Sequence, residues 1–282
     1  MASFDQAGVL NPQDTRIWLN RGIALADWGK HEAAIASFDQ VIEREPTLAQ
    51  AWNSRGSSLM ILERNQEALA SFDEAIACNP NYDKAWSNRG NALTNLGRHK
   101  AALKSFAKAL QISPDHPEIW FNQGCLLMKL EKQDDAIASF NKALELKPNH
   151  VGSWINKGIV ISEMGREKEA LLYYEKALEF DPNETHCWNN RGLTLRRLGR
   201  LQDAVASYDR ALACMPENYE AWDNRGYALV KMGRYGEAMA SFDKALEVNP
   251  QKYLPVAKTD PDLERLRKNK RFQKMIGGEK GK

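Results

Sequence analysis

A tryptophan returns every 34 residues along this chain of 282, at Trp18, Trp52, Trp86, Trp120, Trp154, Trp188 and Trp222. Gly22, Gly56, Gly90, Gly124, Gly158, Gly192 and Gly226 keep the same step, as do the prolines from Pro12 to Pro250, and no insertion breaks the register. A fixed period of this size means one supersecondary unit stacked on itself, each copy burying its apolar face against its neighbours. This overrides the one or two globular domains that length alone suggests.

Within a unit the apolar spacing is helical. Trp52, Leu59 and Leu62 share one side of a first helix, and Ala68, Leu69, Phe72, Ala75 and Ile76 form the stripe of a second. A turn such as Gly97-Arg98 or Gly199-Arg200 joins them, glycine suiting the left-handed residue just past a helix end. A proline closes each unit and stops the second helix. Gly56 is then a mid-helix glycine that costs up to ~1 kcal/mol relative to alanine. The sequence reading is that Gly56 and Ala68 let the two backbones cross closely, a pairing repeated as Gly22 with Ala34, Gly90 with Ala102 and Gly226 with Ala238.

Trp52, Gly56, Leu59, Ala68, Phe72, Ala75 and Pro80 together resemble the tetratricopeptide repeat pattern, and seven copies cover residues 15 to 250. The resemblance implies an all-α fold: a right-handed superhelix (α-solenoid) of seven helix-turn-helix repeats with terminal capping helices. The chain departs from the pattern just before the glycine, where Arg21, Arg55, Arg89, Gln123, Lys157, Arg191 and Arg225 replace the usual leucine, and at Val41, which fills an alanine slot. Residues 1–14 read as the second helix of a partial repeat, with Gly8 in a slot otherwise held by Ile or Leu. The simplest reading is a piece cut from a longer array, with a native start as the alternative; the unmated helix is expected to leave a sticky end that favours end-to-end self-association. Residues 251–276 read as capping helices, Asp260 being the N-cap, Pro261 the first helical residue, and Leu263, Leu266, Phe272 and Ile276 the covering side chains. Residues 277–282 read as a frayed tail.

Composition narrows the function classes. No apolar run approaches the ~18 residues of a membrane span, and the start lacks the basic and apolar regions of a signal peptide. Cys78, Cys125, Cys187 and Cys214 form no CxxC pair, so neither a disulfide framework nor a zinc site is indicated; buried thiols in a reducing, cytoplasmic compartment are expected. His31 and His99 share a turn slot, His116 and His150 share an inter-repeat slot, and none of them or His186 stands in a catalytic or metal-binding spacing. The chain is read as a non-enzyme with no cofactor and no metal.

In the family that the residues resemble, first helices line a concave groove. Two residues after each tryptophan stand Asn20, Ser54, Asn88, Asn122, Asn156, Asn190 and Asn224. An amide both donates and accepts, so such a ladder suits a partner's peptide backbone, and it looks like the asparagine ladder of some peptide-binding members; bracing between repeats is the competing role. Leu19, Ile23, Met60 and Ile61 give an early apolar patch, Phe121, Cys125, Met128, Ile155 and Ile159 a second, and Arg196, Arg197 and Tyr227 follow. The expected peptide-binding residues are Asn20, Asn88, Asn122, Asn156, Asn190, Asn224, Phe121, Ile155, Ile159, Arg197 and Tyr227. The slot after each tryptophan contains no lysine, which argues against binding a chaperone's acidic tail. The expected partner is a protein or peptide segment, extended or helical, held by a scaffold. RNA binding through Lys30, Arg64, Arg98, Lys132, Arg166, Arg200, Arg234 and the basic C-terminal segment is the runner-up, weakened by a net charge of only +2. A regulatory array of a larger multidomain protein is the third reading. Finally, each arginine before the glycine is expected to pair with an acid on the preceding repeat's second helix: Asp5 with Arg21, Asp39 with Arg55, Asp73 with Arg89, Glu175 with Arg191 and Asp209 with Arg225. Ala107 in the acid slot is followed by Gln123 in the base slot, which supports that register.

Overall fold

The computed structural model describes residue 11 and residues 13–277, apart from the side chains of Tyr253, Val256, Asp262, Arg265, Arg271 and Met275. The expected half-repeat helix at the start, with its Asp5, and residues 278–282 of the expected tail lie outside the described residues. All regular structure among the described residues is helical. The chain divides into two compact units, Met1–Lys147 and Pro148–Lys282.

The first unit contains four helix pairs: α1 Thr15–Asp27 with α2 His31–Arg44, α3 Ala49–Ile61 with α4 Asn65–Cys78, α5 Asp83–Asn95 with α6 His99–Ile112, and α7 Pro117–Lys129 with α8 Gln133–Leu146. The second contains three: α9 Val151–Glu163 with α10 Glu167–Phe180, α11 Thr185–Arg197 with α12 Leu201–Cys214, and α13 Tyr219–Lys231 with α14 Tyr235–Val248. Within each unit a second helix packs on both its own first helix and the next repeat's, and successive first helices also touch.

The turn inside each pair has the geometry that its residues dictate. Gly97 has φ 71°, the Gly97 N–H donates to Thr94 O, and the Arg98 N–H reaches back to Leu93 O at 2.8 Å, closing the helix in a Schellman motif. Glu63 and Glu131 occupy the same slot at φ 60° and 57°, so two repeats adopt the left-handed turn without glycine. The basic residue that follows precedes the second helix, where its charge opposes the helix dipole. An acid three residues on offsets this, as in Arg64–Glu67 at 2.6 Å and Arg200–Asp203 at 2.7 Å. Between repeats the tryptophan ties down the proline turn: the Trp86 indole N–H donates to Pro80 O at 2.9 Å, and Trp52, Trp120, Trp154, Trp188 and Trp222 each do the same six residues back.

The mid-helix glycine has a different cause from the one read in the sequence. A Cβ on Gly56 would stand 2.6 Å from the ring of Phe72, and one on Gly90 would stand 2.6 Å from the ring of Phe106. The ring sixteen residues on, Phe or Tyr, is the nearest obstacle in all seven repeats, rather than the alanine of the second helix. The glycine makes room for a flat, fully buried aromatic, and burying such a ring more than offsets the local helix penalty.

After Val248 the period decays into α15 Pro250–Thr259, a 3-10 turn Pro261–Leu263, α16 Glu264–Arg267 and α17 Lys270–Ile276. Leu263, Leu266 and Phe272 are buried, and Phe272 meets Phe242 edge-on at 6.1 Å, so side chains of this segment pack against the last repeat.

Candidate functional site

The first helices expose one row of side chains per slot along each unit, and the asparagine row splits in two. The Asn88 amide donates to Asn53 Oδ1 of the preceding repeat at 3.0 Å and lies 3.4 Å from Ser57 Oγ. Asn224 donates to Asn189 Oδ1 at 3.1 Å. These two brace neighbouring first helices. The side chains of Asn122 and Asn190, half-buried in the same slot, make no hydrogen bond among the described residues, and Asn20 is exposed. Asn156 is half-buried.

Two expected contact residues lie in the interior. Ile155 is 8% exposed and belongs to the core of the second unit, although Phe121 in the same slot is only half-buried. Tyr227 is 7% exposed: its ring packs edge-on against Phe242 at 5.7 Å, the Arg196 guanidinium covers it at 5.7 Å, and its hydroxyl donates to Asp260 Oδ2 at 2.6 Å. The C-terminal cap removes this slot from the open face. Phe121 is half-buried with its ring centroid 6.1 Å from that of Phe140, Ile159 is half-buried, and Arg197 is exposed. In the early patch Ile61 is exposed and Leu19, Ile23 and Met60 are half-buried.

Arg197 is held from behind. Its Nη1 donates to Ser162 Oγ at 3.2 Å, Ser162 Oγ lies 3.2 Å from Thr194 Oγ1, and Thr194 bonds the hydroxyl of Tyr174. Burial pushes the Tyr174 hydroxyl well above the usual phenol range. Tyr208 occupies the same slot one repeat later, where the next helix offers Ala228 in place of Thr194, and its buried hydroxyl has no partner. Nearby, burial pushes the Asp223 carboxyl up to about 7, the Asp260 carboxylate adding to the effect and Arg196 opposing it.

The arginine before each glycine pairs with the preceding repeat as the register predicts: Arg55–Asp39 at 2.7 Å, Arg89–Asp73 at 2.6 Å, Arg225–Asp209 at 2.6 Å and Arg191–Glu175 at 3.8 Å. A further partner went unread. Arg55, Arg89, Arg191 and Arg225 each donate to a buried serine sixteen residues on, as Arg21 does to Ser37. The signal was available: Ser37, Ser71, Ser105, Ser139, Ser207 and Ser241 share one slot, and Tyr173 breaks the series only where Lys157 replaces arginine. There the Lys157 ammonium sits over the Tyr173 ring, 4.2 Å from its centroid, and burial lowers its pKa. Arg89 and Arg225 also lie over Trp86 and Trp222 at 5.7 and 5.9 Å. These arginines are therefore structural.

Among the described residues no three His, Cys, Asp or Glu side chains stand together as a metal set, and no helix is long and apolar enough to cross a membrane. The four cysteines are thiols rather than disulfides; burial pushes the Cys187 thiol up to about 12.

Stacked helix pairs with a row of polar and apolar side chains on their first helices define a helical-repeat protein. The chain belongs to the tetratricopeptide repeat family, whose models match residues 2–49, 19–83, 83–116, 117–150, 151–184 and 189–253. Such repeats generally mediate protein–protein interaction, and the family is typically non-catalytic. A direct comparison with curated proteins finds no match. Among solved structures, a tetratricopeptide repeat protein from Parabacteroides merdae is 18% identical with a TM-score of 0.67, the match covering 94% of this chain and 98% of that one. The Cut9–Hcn1 hetero-tetramer of APC/C gives 16% identity and a TM-score of 0.72 over 93% of this chain and 52% of that one. YrrB, described as having an unusual peptide-binding site, gives 24% and 0.51 over 65% of this chain and 95% of that one. These likenesses concern the fold.

Proposed function

We propose that the first-helix face within a unit receives a peptide segment of a protein partner, and that the chain itself carries no catalysis. The observation that carries this reading is the split in the asparagine row. Asn88 and Asn224 are spent on bracing, whereas Asn122 and Asn190, in the same slot, are left with donors and acceptor open. A half-buried amide that is not spent on bracing can pair with a peptide's C=O and N–H together. Phe121, beside Asn122 on α7 of the first unit, and Ile159, on α9 of the second, are half-buried apolar side chains on first helices. YrrB offers a precedent for peptide binding on this kind of fold. The ion pairs of Arg64, Arg166, Arg200 and Arg234 with acids three residues on neutralise much of the basic row, which favours a peptide over RNA.

The test uses peptides selected from a random dodecapeptide library on the full chain. Asn190→Ala, within the second unit, removes both an amide donor and an acceptor and is expected to weaken a selected peptide by about tenfold, at ~0.5–1.5 kcal/mol per lost hydrogen bond, while helicity and Tm stay unchanged. Unchanged affinity contradicts the reading. Asn88→Ala, by contrast, should lower Tm.

A further inference from the structure

Arg197 ends α11 as an exposed guanidinium mounted on three buried hydroxyls. Ser162, Thr194 and Tyr174 are 5%, 2% and 1% exposed, and they form a continuous chain from the repeat interior to Arg197 Nη1. Eight arginines elsewhere are neutralised: Arg55, Arg89, Arg191 and Arg225 pair with acids of the preceding repeat, and Arg64, Arg166, Arg200 and Arg234 with acids three residues on, while Arg196 and Arg210 lie over aromatic rings. Arg197 has no ion pair among the described residues. Glu163 holds the same slot one repeat earlier, yet Arg197 bonds the neighbouring Ser162 instead. Lys231 repeats a cation in this slot one repeat later, and Arg196 stands beside Arg197 over Tyr227.

A guanidinium carries five N–H donors in a rigid fork matched to a carboxylate, and here one of its nitrogens is fixed by the buried hydroxyls. Fixing the side chain before the partner arrives lowers the ordering cost of binding. A buried hydroxyl chain is more than a solvated surface arginine needs. We propose that Arg197 is a specificity-determining residue that takes an aspartate or glutamate side chain of the bound segment, with Ser162, Thr194 and Tyr174 as positioning residues. This rests on the peptide-binding reading above.

The test selects random dodecapeptides on the full chain in two arms, wild type and Arg197→Gln. Wild type is expected to enrich Asp or Glu at one peptide position, and the variant to lose that enrichment. A synthetic wild-type winner should bind Arg197→Gln about tenfold more weakly or worse. Changing its acid to the amide should weaken binding to wild type by a similar factor and add nothing in the variant. Thr194→Val keeps the charge and removes its support, so it should cost several-fold in affinity beyond any shift in Tm. Peptides that lose affinity with Asn190→Ala but bind Arg197→Gln unchanged would refute the acid subsite and leave the peptide-binding reading standing. No enrichment in either arm would refute both. A single-stranded RNA dodecamer that binds wild type more tightly than any selected peptide, and is lost in Arg197→Gln, would reassign the residue to phosphate.

Discussion

Phe106 lies against Gly90 so closely that a single added methyl would stand 2.6 Å from its ring. Gly90→Ala therefore trades a better intrinsic helix former for an overpacked core, and the clash dominates: the variant should lose ~1–3 kcal/mol in urea denaturation, with partial recovery on Phe106→Leu. The slot was legible from its 34-residue recurrence, but its cause was not. Ala102 and Phe106 share the inward stripe of the same helix, and spacing alone does not say which atom comes nearest. A second residue-scale expectation concerns the two tyrosines in this ring slot. Tyr208→Phe removes a buried hydroxyl without a partner and should be neutral or stabilising by up to ~1 kcal/mol, whereas Tyr174→Phe breaks the bond to Thr194 and should destabilise by ~0.5–1.5 kcal/mol. Equal effects from the two would contradict the assignment.

At the scale of elements, neighbouring repeats are registered by the arginine that reaches backward to an acid and forward to a serine. Asp209 is half-exposed while Arg225 is mostly buried, so their double-mutant cycle should show coupling of ~0.5–1 kcal/mol, more than a fully solvated pair gives. The acid was legible because Ala107 and Gln123 vary together within the chain. The serine was missed because small polar residues recur on any half-buried helix face. The cap is a second element-scale device. Asp223 has its folded pKa raised to about 7 from an ordinary value of 3.8. The folded state then keeps a proton that the unfolded chain releases, so this carboxyl's contribution to stability falls as pH rises from about 4 to about 7 and levels off above that. Asp223→Asn should raise Tm at pH 8 more than at pH 5. An equal shift at both would contradict the buried carboxyl's role.

At the scale of the molecule, the repeat architecture could be read from period, turn residues and apolar spacing alone, since every local signal agrees with the same unit. The candidate face was less legible. Ile155 and Tyr227 share slots with half-buried residues such as Phe121 and Ile159, and what buries Tyr227 is a C-terminal cap outside the repeat period. Likewise Asn88 and Asn122 are identical in sequence terms, and only the partner one repeat earlier separates a brace from an open amide. The central claim is that the first-helix face, rather than the second helices, receives the partner. A selected peptide carrying a nitroxide label, added to the methyl-labelled full chain, tests it by paramagnetic broadening of isoleucine and leucine signals. The account predicts broadening at Ile23, Ile61 or Ile159, with Leu146 and Leu172, which are 41% and 60% exposed on second helices, left sharp. Broadening of Leu146 or Leu172 with those isoleucines unaffected would contradict it.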